Sequence, residues 1–215
     1  MDSRNHIIEL LKTDTRLDGR KPLEYRKPIK VETDIYTTAC SSAKVTIGET
    51  VVVVGVKFEV GTPYPDKPEE GTIIVGAELI PLSNPEFELG PPSIAAIELA
   101  RVVDRAIRES KSIDFKKLCI EKGEKVWLAL IDIIPLNDDG NLKDAAALAA
   151  LAAMRVAKFP QYDGEKIDYK AERKDKLKLE NEPISITVLK IGNKFIVDPI
   201  SEEEKAIDAR LTVAS

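Results

Sequence analysis

The sequence predicts an α/β fold of the α+β kind, a mixed sheet packed with helices, and three stretches point to it. Thr50–Val60, TVVVVGVKFEV, is β-branched almost throughout, and its unbroken Val51–Val54 run suits a central strand buried on both faces. After Gly90-Pro91-Pro92-Ser93, the apolar residues Ala96, Leu99, Ala100, Val103, Ala106 and Ile107 recur at helical spacing, with Ser93 placed as the N-cap. Ala145–Ala157, AAALAALAAMRVA, is a second helix whose small side chains let it lie close to a sheet or to another helix.

Composition bounds the rest. The 215 residues are 43% hydrophobic and 32% charged, enough apolar material for one ordinary domain or two small ones. No run approaches the roughly 18 apolar residues needed to cross a bilayer, and MDSRNHIIELLK has no signal-peptide core. Cys40 and Cys119 lack neighbours at metal spacing, so two reduced thiols in a cytoplasmic protein are expected. His6 is the only histidine, which removes Ser-His-Asp and Cys-His catalysis and His-based zinc sites. The net charge of −5 means that any nucleic acid is met through a local patch or beside a partner.

In chain order, residues 3–12 read as an amphipathic helix with Ile7, Ile8, Leu10 and Leu11 inward. Arg16-Leu17-Asp18-Gly19-Arg20-Lys21-Pro22 is a basic turn, either a plain surface connection or a docking loop. Thr37–Gly48 alternates loosely and reads as a strand joined to the central one near Gly48-Glu49, and the proline-rich Gly61–Gly71 projects as a loop. Thr72–Leu82 and Val126–Ile134 are further strands. Leu136–Asp144 holds a turn at Asp138-Asp139-Gly140-Asn141, with Asp144 placed to cap the next helix. Its spacing does not fit a calcium loop, and no metal site is assigned. Phe159–Asn181 is dense in charge and reads as an exposed linker. A hairpin around Gly192-Asn193, an acidic turn at Ser201–Lys205 and a strand at Ala209–Val213 follow. The expected domains are 1–160 with the leading helix, a linker 161–182, and 183–215 as the start of a second domain.

On the polar side of the helix that Ser93 opens, Arg101 and Arg105 stand four residues apart, where like charges repel by a few tenths of a kcal/mol. The row is either a solvated ion-pair face, with Glu98, Asp104 and Glu109 in reach, or a pair of forked donors for an anionic partner.

Six motifs in order carry a resemblance. They are Leu17-Asp18-Gly19-Arg20 with Tyr25-Arg26, Glu78-Leu79-Ile80-Pro81-Leu82, Gly90-Pro91-Pro92, Ile97–Arg105, Val126-Trp127, and Asp139-Gly140-Asn141-Leu142 with Asp144-Ala145-Ala146. Together they resemble the ribonuclease PH family, and within it the non-catalytic branch of archaeal exosomes. The resemblance implies a βαβ-type first domain and a smaller second half, incomplete here. It implies a hexameric ring of three heterodimers with a catalytic ribonuclease PH-like subunit, RNA-binding cap proteins, and single-stranded RNA threading the pore, in which setting the row of Arg101 and Arg105 is the candidate RNA-binding pair.

The resemblance also implies that this chain has no catalytic residues and no cofactor of its own, with inorganic phosphate and magnesium at the partner's site. Active relatives carry a Gly-Gly-Thr-Arg-type phosphate loop where this chain has Asp139-Gly140-Asn141-Leu142-Lys143-Asp144. They carry an arginine where counting back from Glu98 gives Ala95, and two late aspartates where this chain has Glu204 and a closer-spaced Asp208. Two other readings stay open: an exoribonuclease active by itself, and a binding module that shares only the fold.

Overall fold

The computed structural model describes residues 3–173 and 175–215. A six-stranded mixed sheet forms from β1 (Ile29–Thr33), β2 (Ser41–Ile47), β3 (Thr50–Gly61), β4 (Thr72–Ala77), β5 (Cys119–Glu121) and β6 (Lys125–Asn137). The order is β1-β2-β3-β6-β4, with β5 also on β6. Only β4 and β6 run parallel, and the helix between them, α2 (Ile94–Glu109), packs back on β4 as a βαβ crossover. The second helix, α3 (Leu142–Val156), lies across β2 and β3. Its alanines Ala145, Ala146, Ala149, Ala150 and Ala153 are wholly buried against the sheet, the close approach that methyl side chains permit.

As the β-branched run requires, β3 is central, and Val52, Val53 and Val54 are all buried. Ser93 caps α2, its hydroxyl accepting from the Ala96 amide, and Ala96, Leu99, Val103, Ala106 and Ile107 face the core. Asp144 does not cap α3. Asn141 holds that position at φ 59, and Asp144 lies buried in the first turn. Residues 29–33, which alternate Ile-Lys-Val-Glu-Thr, form an exposed edge strand not expected from the sequence.

After α3 come β7 (Gln161–Tyr162), β8 (Ile167–Asp168), β9 (Ser185–Ile191), β10 (Lys194–Val197), the short helix α4 (Ser201–Glu204) and β11 (Ala209–Ala214). β10-β9-β11 make a second, antiparallel sheet, with α3 also touching β9.

Two expectations change here. The charged 161–182 segment is anchored rather than a free linker. β7 and β8 pair, Tyr169 Oη donates to the Phe58 carbonyl at 3.0 Å, and Leu177 is buried in the main core. Leu177 is buried and Tyr169 and Leu179 pack partly on the core, while the dense charge of the exposed side dominates the sequence signal. The leading helix α1 (Ser3–Lys12) belongs to the second unit. Ile7 and Leu11 pack with Leu189, Ile191, Ile196 and Ala206 in a separate small core.

Candidate functional site

The turn Asp138–Asn141 brings the segment after β6 into α3, and the structure sets α2, α4 and β11 around it. Gly140 is at φ +86, and a Cβ there would meet the Pro199 carbonyl at 2.5 Å, so only glycine lets the two loops approach. The first α3 turn carries Lys143, whose ammonium donates to Glu98 Oε1 at 2.7 Å. Arg210 of β11 donates to both oxygens of the same carboxylate, at 2.8 and 3.0 Å. The Asn141 amide, at the positive end of α3, donates to Glu204 at 3.0 Å. Two cations and a helix terminus are therefore each faced by a carboxylate of the chain itself.

The protonation shifts agree with this geometry. Burial pulls the Lys143 ammonium down from the ordinary lysine range, although the Glu98 hydrogen bond opposes it. Lys143, through that hydrogen bond, holds Glu98 below the usual carboxylate range, against partial burial and with Arg210 assisting. Burial raises Glu204, against the Asn141 hydrogen bond. Asp144 is pushed up by burial and turns inward to accept from Tyr25 Oη at 2.9 Å.

Behind this cluster lies a larger ionic network. Asp198 is fully buried, and its carboxylate accepts five hydrogen bonds. Arg26 supplies its amide at 2.6 Å, Nε at 3.0 Å and a terminal nitrogen at 2.9 Å, Arg20 one at 3.0 Å, and Asn141 Nδ2 one at 2.8 Å. Arg16 forms a bidentate pair with Glu203, both side chains fully buried, and donates to the Val197 and Asp198 carbonyls. The arginines of the basic turn at 16–26 thus serve the fold instead of forming an exposed basic face. Their guanidiniums point inward and clasp the segment 197–204.

Among the sequence-derived positions, Ala95 is exposed on the first turn of α2, and Glu204 stands at the α3 terminus. Asp208 is elsewhere, exposed and paired with Arg4 at 2.6 Å. Glu98 is the acid that answers Lys143 of the loop, and the sequence reading assigned no role to Lys143 or Arg210. Lys143 was legible as a cation within the aligned loop; Arg210 became visible only when β11 was placed beside α2. Of the helix pair, Arg105 donates to Glu109 at 2.9 Å with both side chains exposed. Arg101 has no hydrogen bond or ion pair among the described residues, since Glu98 turns to Lys143 and Arg210 instead.

Residues 25–160 match the model of the 3′ exoribonuclease family, domain 1, and residues 181–215 match domain 2 of the same family. The chain belongs to the 3′ exoribonuclease family. This is the ribonuclease PH-like fold, and the exosome component Rrp42 of Archaeoglobus fulgidus is 48% identical over 212 residues, 99% of this chain and 80% of the relative. The Rrp42 component of Methanopyrus kandleri is 45% identical over 98% of this chain and 79% of its own length. A solved chain of the Archaeoglobus fulgidus exosome with RNA bound to the active site superposes with a TM-score of 0.90 at 47% identity, covering 99% of this chain and 82% of that one. The family accounts for the mixed sheet and its helices.

Proposed function

We propose that this chain is a non-catalytic ring subunit of an archaeal exosome, a complex that degrades RNA phosphorolytically from the 3′ end. Its kinship with exosome components across nearly the whole chain supports the assembly. The observation that carries the non-catalytic reading is the neutralised cluster at the α3 terminus, where Glu98 engages both Lys143 and Arg210 and Glu204 engages the Asn141 amide. An incoming phosphate would have to displace two carboxylates, so the position is electrostatically closed. The partner, a catalytic ribonuclease PH-like subunit, supplies the reacting site with its phosphate and magnesium. Three such heterodimers make the ring, with RNA-binding cap proteins above it, in the cytoplasm. Exposed apolar side chains such as Ile94, Ile186, Phe195, Leu211 and Val213 support an extensive subunit interface, larger than ~1,200 Å² in total.

In this arrangement Arg101 and Arg105 bind RNA phosphates. With inorganic phosphate, magnesium and single-stranded RNA, the isolated chain is expected to release no nucleoside diphosphate, whereas the ring co-purified with its partner does. Phosphate-dependent shortening by the chain alone would refute the reading. Replacing both arginines by alanine should weaken RNA binding by the ring and reduce its log–log salt slope by about 0.7 per lost phosphate contact. An unchanged slope with an intact ring would remove the RNA role.

A further inference from the structure

Among the described residues three carboxyl side chains are buried, and guanidiniums hold two of them: Arg26 and Arg20 hold Asp198, and Arg16 holds Glu203. The third, Asp144, is 3% exposed and has no ion pair among the described residues. Its Oδ2 accepts from the neutral Tyr25 phenol at 2.9 Å, and its Oδ1 is buried without a hydrogen-bond partner. A second acceptor is orphaned at the same end of α3. Asn141 Oδ1 is buried and unpartnered, while Nδ2 of that amide is committed to Asp198. Thr187 of β9 stands beside the Asp144 carboxyl, its hydroxyl hydrogen-bonded to that of Thr212 at 2.9 Å.

The charged groups on the surrounding elements are committed elsewhere. Lys143 and Arg210 meet Glu98, Arg26 meets Asp198 and Asp139, and Glu204 takes the Asn141 amide. An ionised carboxyl buried without a cation is costly, and an unpaired buried acceptor is costly as well. One proton on Asp144 relieves both. It removes the charge and makes Oδ1 a donor, with the Asn141 oxygen and the Thr187 hydroxyl as neighbouring acceptors.

We propose that Asp144 is a proton-operated latch between α3 and the second sheet. Protonated, it closes the contact with β9; ionised, it loosens that contact. Burial raises the carboxyl above the ordinary aspartate range, and the neighbouring Thr187, Tyr25 and Asn141 limit the rise. The latch is therefore fully closed below the ordinary aspartate value and is lost as pH rises through the higher folded one.

The test compares the full wild-type chain with Asp144→Asn, which keeps the neutral shape and a donor at every pH, and with Tyr25→Phe. At about pH 5, a unit above the ordinary aspartate value, the infrared difference between wild type and Asp144→Asn should show a protonated-carboxyl band. Hydrogen exchange of the β9 amides gives the local readout. The two chains should exchange alike at the acid end, and wild type should become faster by up to about tenfold per pH unit until Asp144 is ionised. Both chains keep Glu204, so its own titration cancels in the ratio. Tyr25→Phe should retain the band and move the levelling-off to higher pH. An absent band, or an exchange ratio that does not change with pH, overturns the latch. So does loss of the band in Tyr25→Phe, which would mean an ionised carboxylate held by the phenol. An Asp144→Asn chain that fails to fold, or that exchanges faster than wild type at every pH, also overturns it, because the fold would then require the carboxylate itself.

Discussion

Asp198→Asn is the substitution that most directly tests the buried ionic network. The change preserves shape, and asparagine tolerates the left-handed conformation that Asp198 adopts at φ 46. It removes one negative charge from between Arg26 and Arg20, whose side chains are almost fully buried. Oδ1 accepts from Arg26 and Asn141, while Oδ2 accepts from the Arg26 amide, its Nε and Arg20. Whichever way the new amide turns, an NH₂ group therefore faces donors. Breaking a buried pair from one side costs about 3–5 kcal/mol, and at about 2–4 °C per kcal/mol for a chain of this size melting should fall by roughly 6–20 °C. Glu109→Gln, which removes only an exposed one-turn pair with Arg105, is the control and should cost about 0.3–0.5 kcal/mol. Urea and thermal unfolding at neutral pH measure both. A loss for Asp198→Asn below about 1 kcal/mol would refute the argument that the network needs this charge. The pH dependence gives a second check. Burial pushes the Asp198 carboxyl up, but the Arg26 hydrogen bonds and charge hold it below the ordinary aspartate value. Its stabilisation is therefore complete above that value and is lost as pH falls through the lower folded value. In Asp198→Asn the acid limb of the stability profile should be correspondingly shallower.

Glu204 titrates in the opposite sense. Burial raises its folded pKa above the ordinary glutamate value, so ionisation is disfavoured in the fold and stability declines as pH rises from that ordinary value through the folded pKa. Glu204→Gln keeps an acceptor for the Asn141 amide and should flatten that decline in melting temperature measured across acid to neutral pH; an unaltered profile would contradict the assignment. Gly140→Ala places a Cβ against the Pro199 carbonyl and a non-glycine residue at φ +86, and should destabilise by at least ~2 kcal/mol in denaturant unfolding. A neutral result would mean that the two loops can separate without cost.

Much of the fold was legible because its signals were strong and local. The β-branched run of β3, the helical spacing in α2 and the alanines of α3 each specify an element without tertiary help. The edge strand β1 was missed although Ile29-Lys30-Val31-Glu32-Thr33 alternates, because both its faces are exposed and five residues give little hydrophobic contrast. The candidate site was half legible. Glu204 and the loop from Asp139 to Asp144 were found by motif, yet the acid that opposes Lys143 lies on another helix, 45 residues away in sequence. Nor does any local pattern tell a buried arginine from a solvated one. Arg16 and Arg20 are fixed inside by carboxylates and carbonyls of residues 198–203, while Arg101 and Arg105, of the same composition, stay outside.

The clasp of the first segment on the last has a consequence for how the molecule is made. Arg16 meets Glu203 across 187 residues of sequence, and among the described residues α1 packs mainly against β9, β10 and the turn at Ala206. The opening segment of the nascent polypeptide therefore leaves the ribosome with nothing to fold against. It waits through the synthesis of both helices and the large sheet before its counter-ions are translated. Contacts of such long range are slow to close and leave apolar and ionic groups exposed meanwhile.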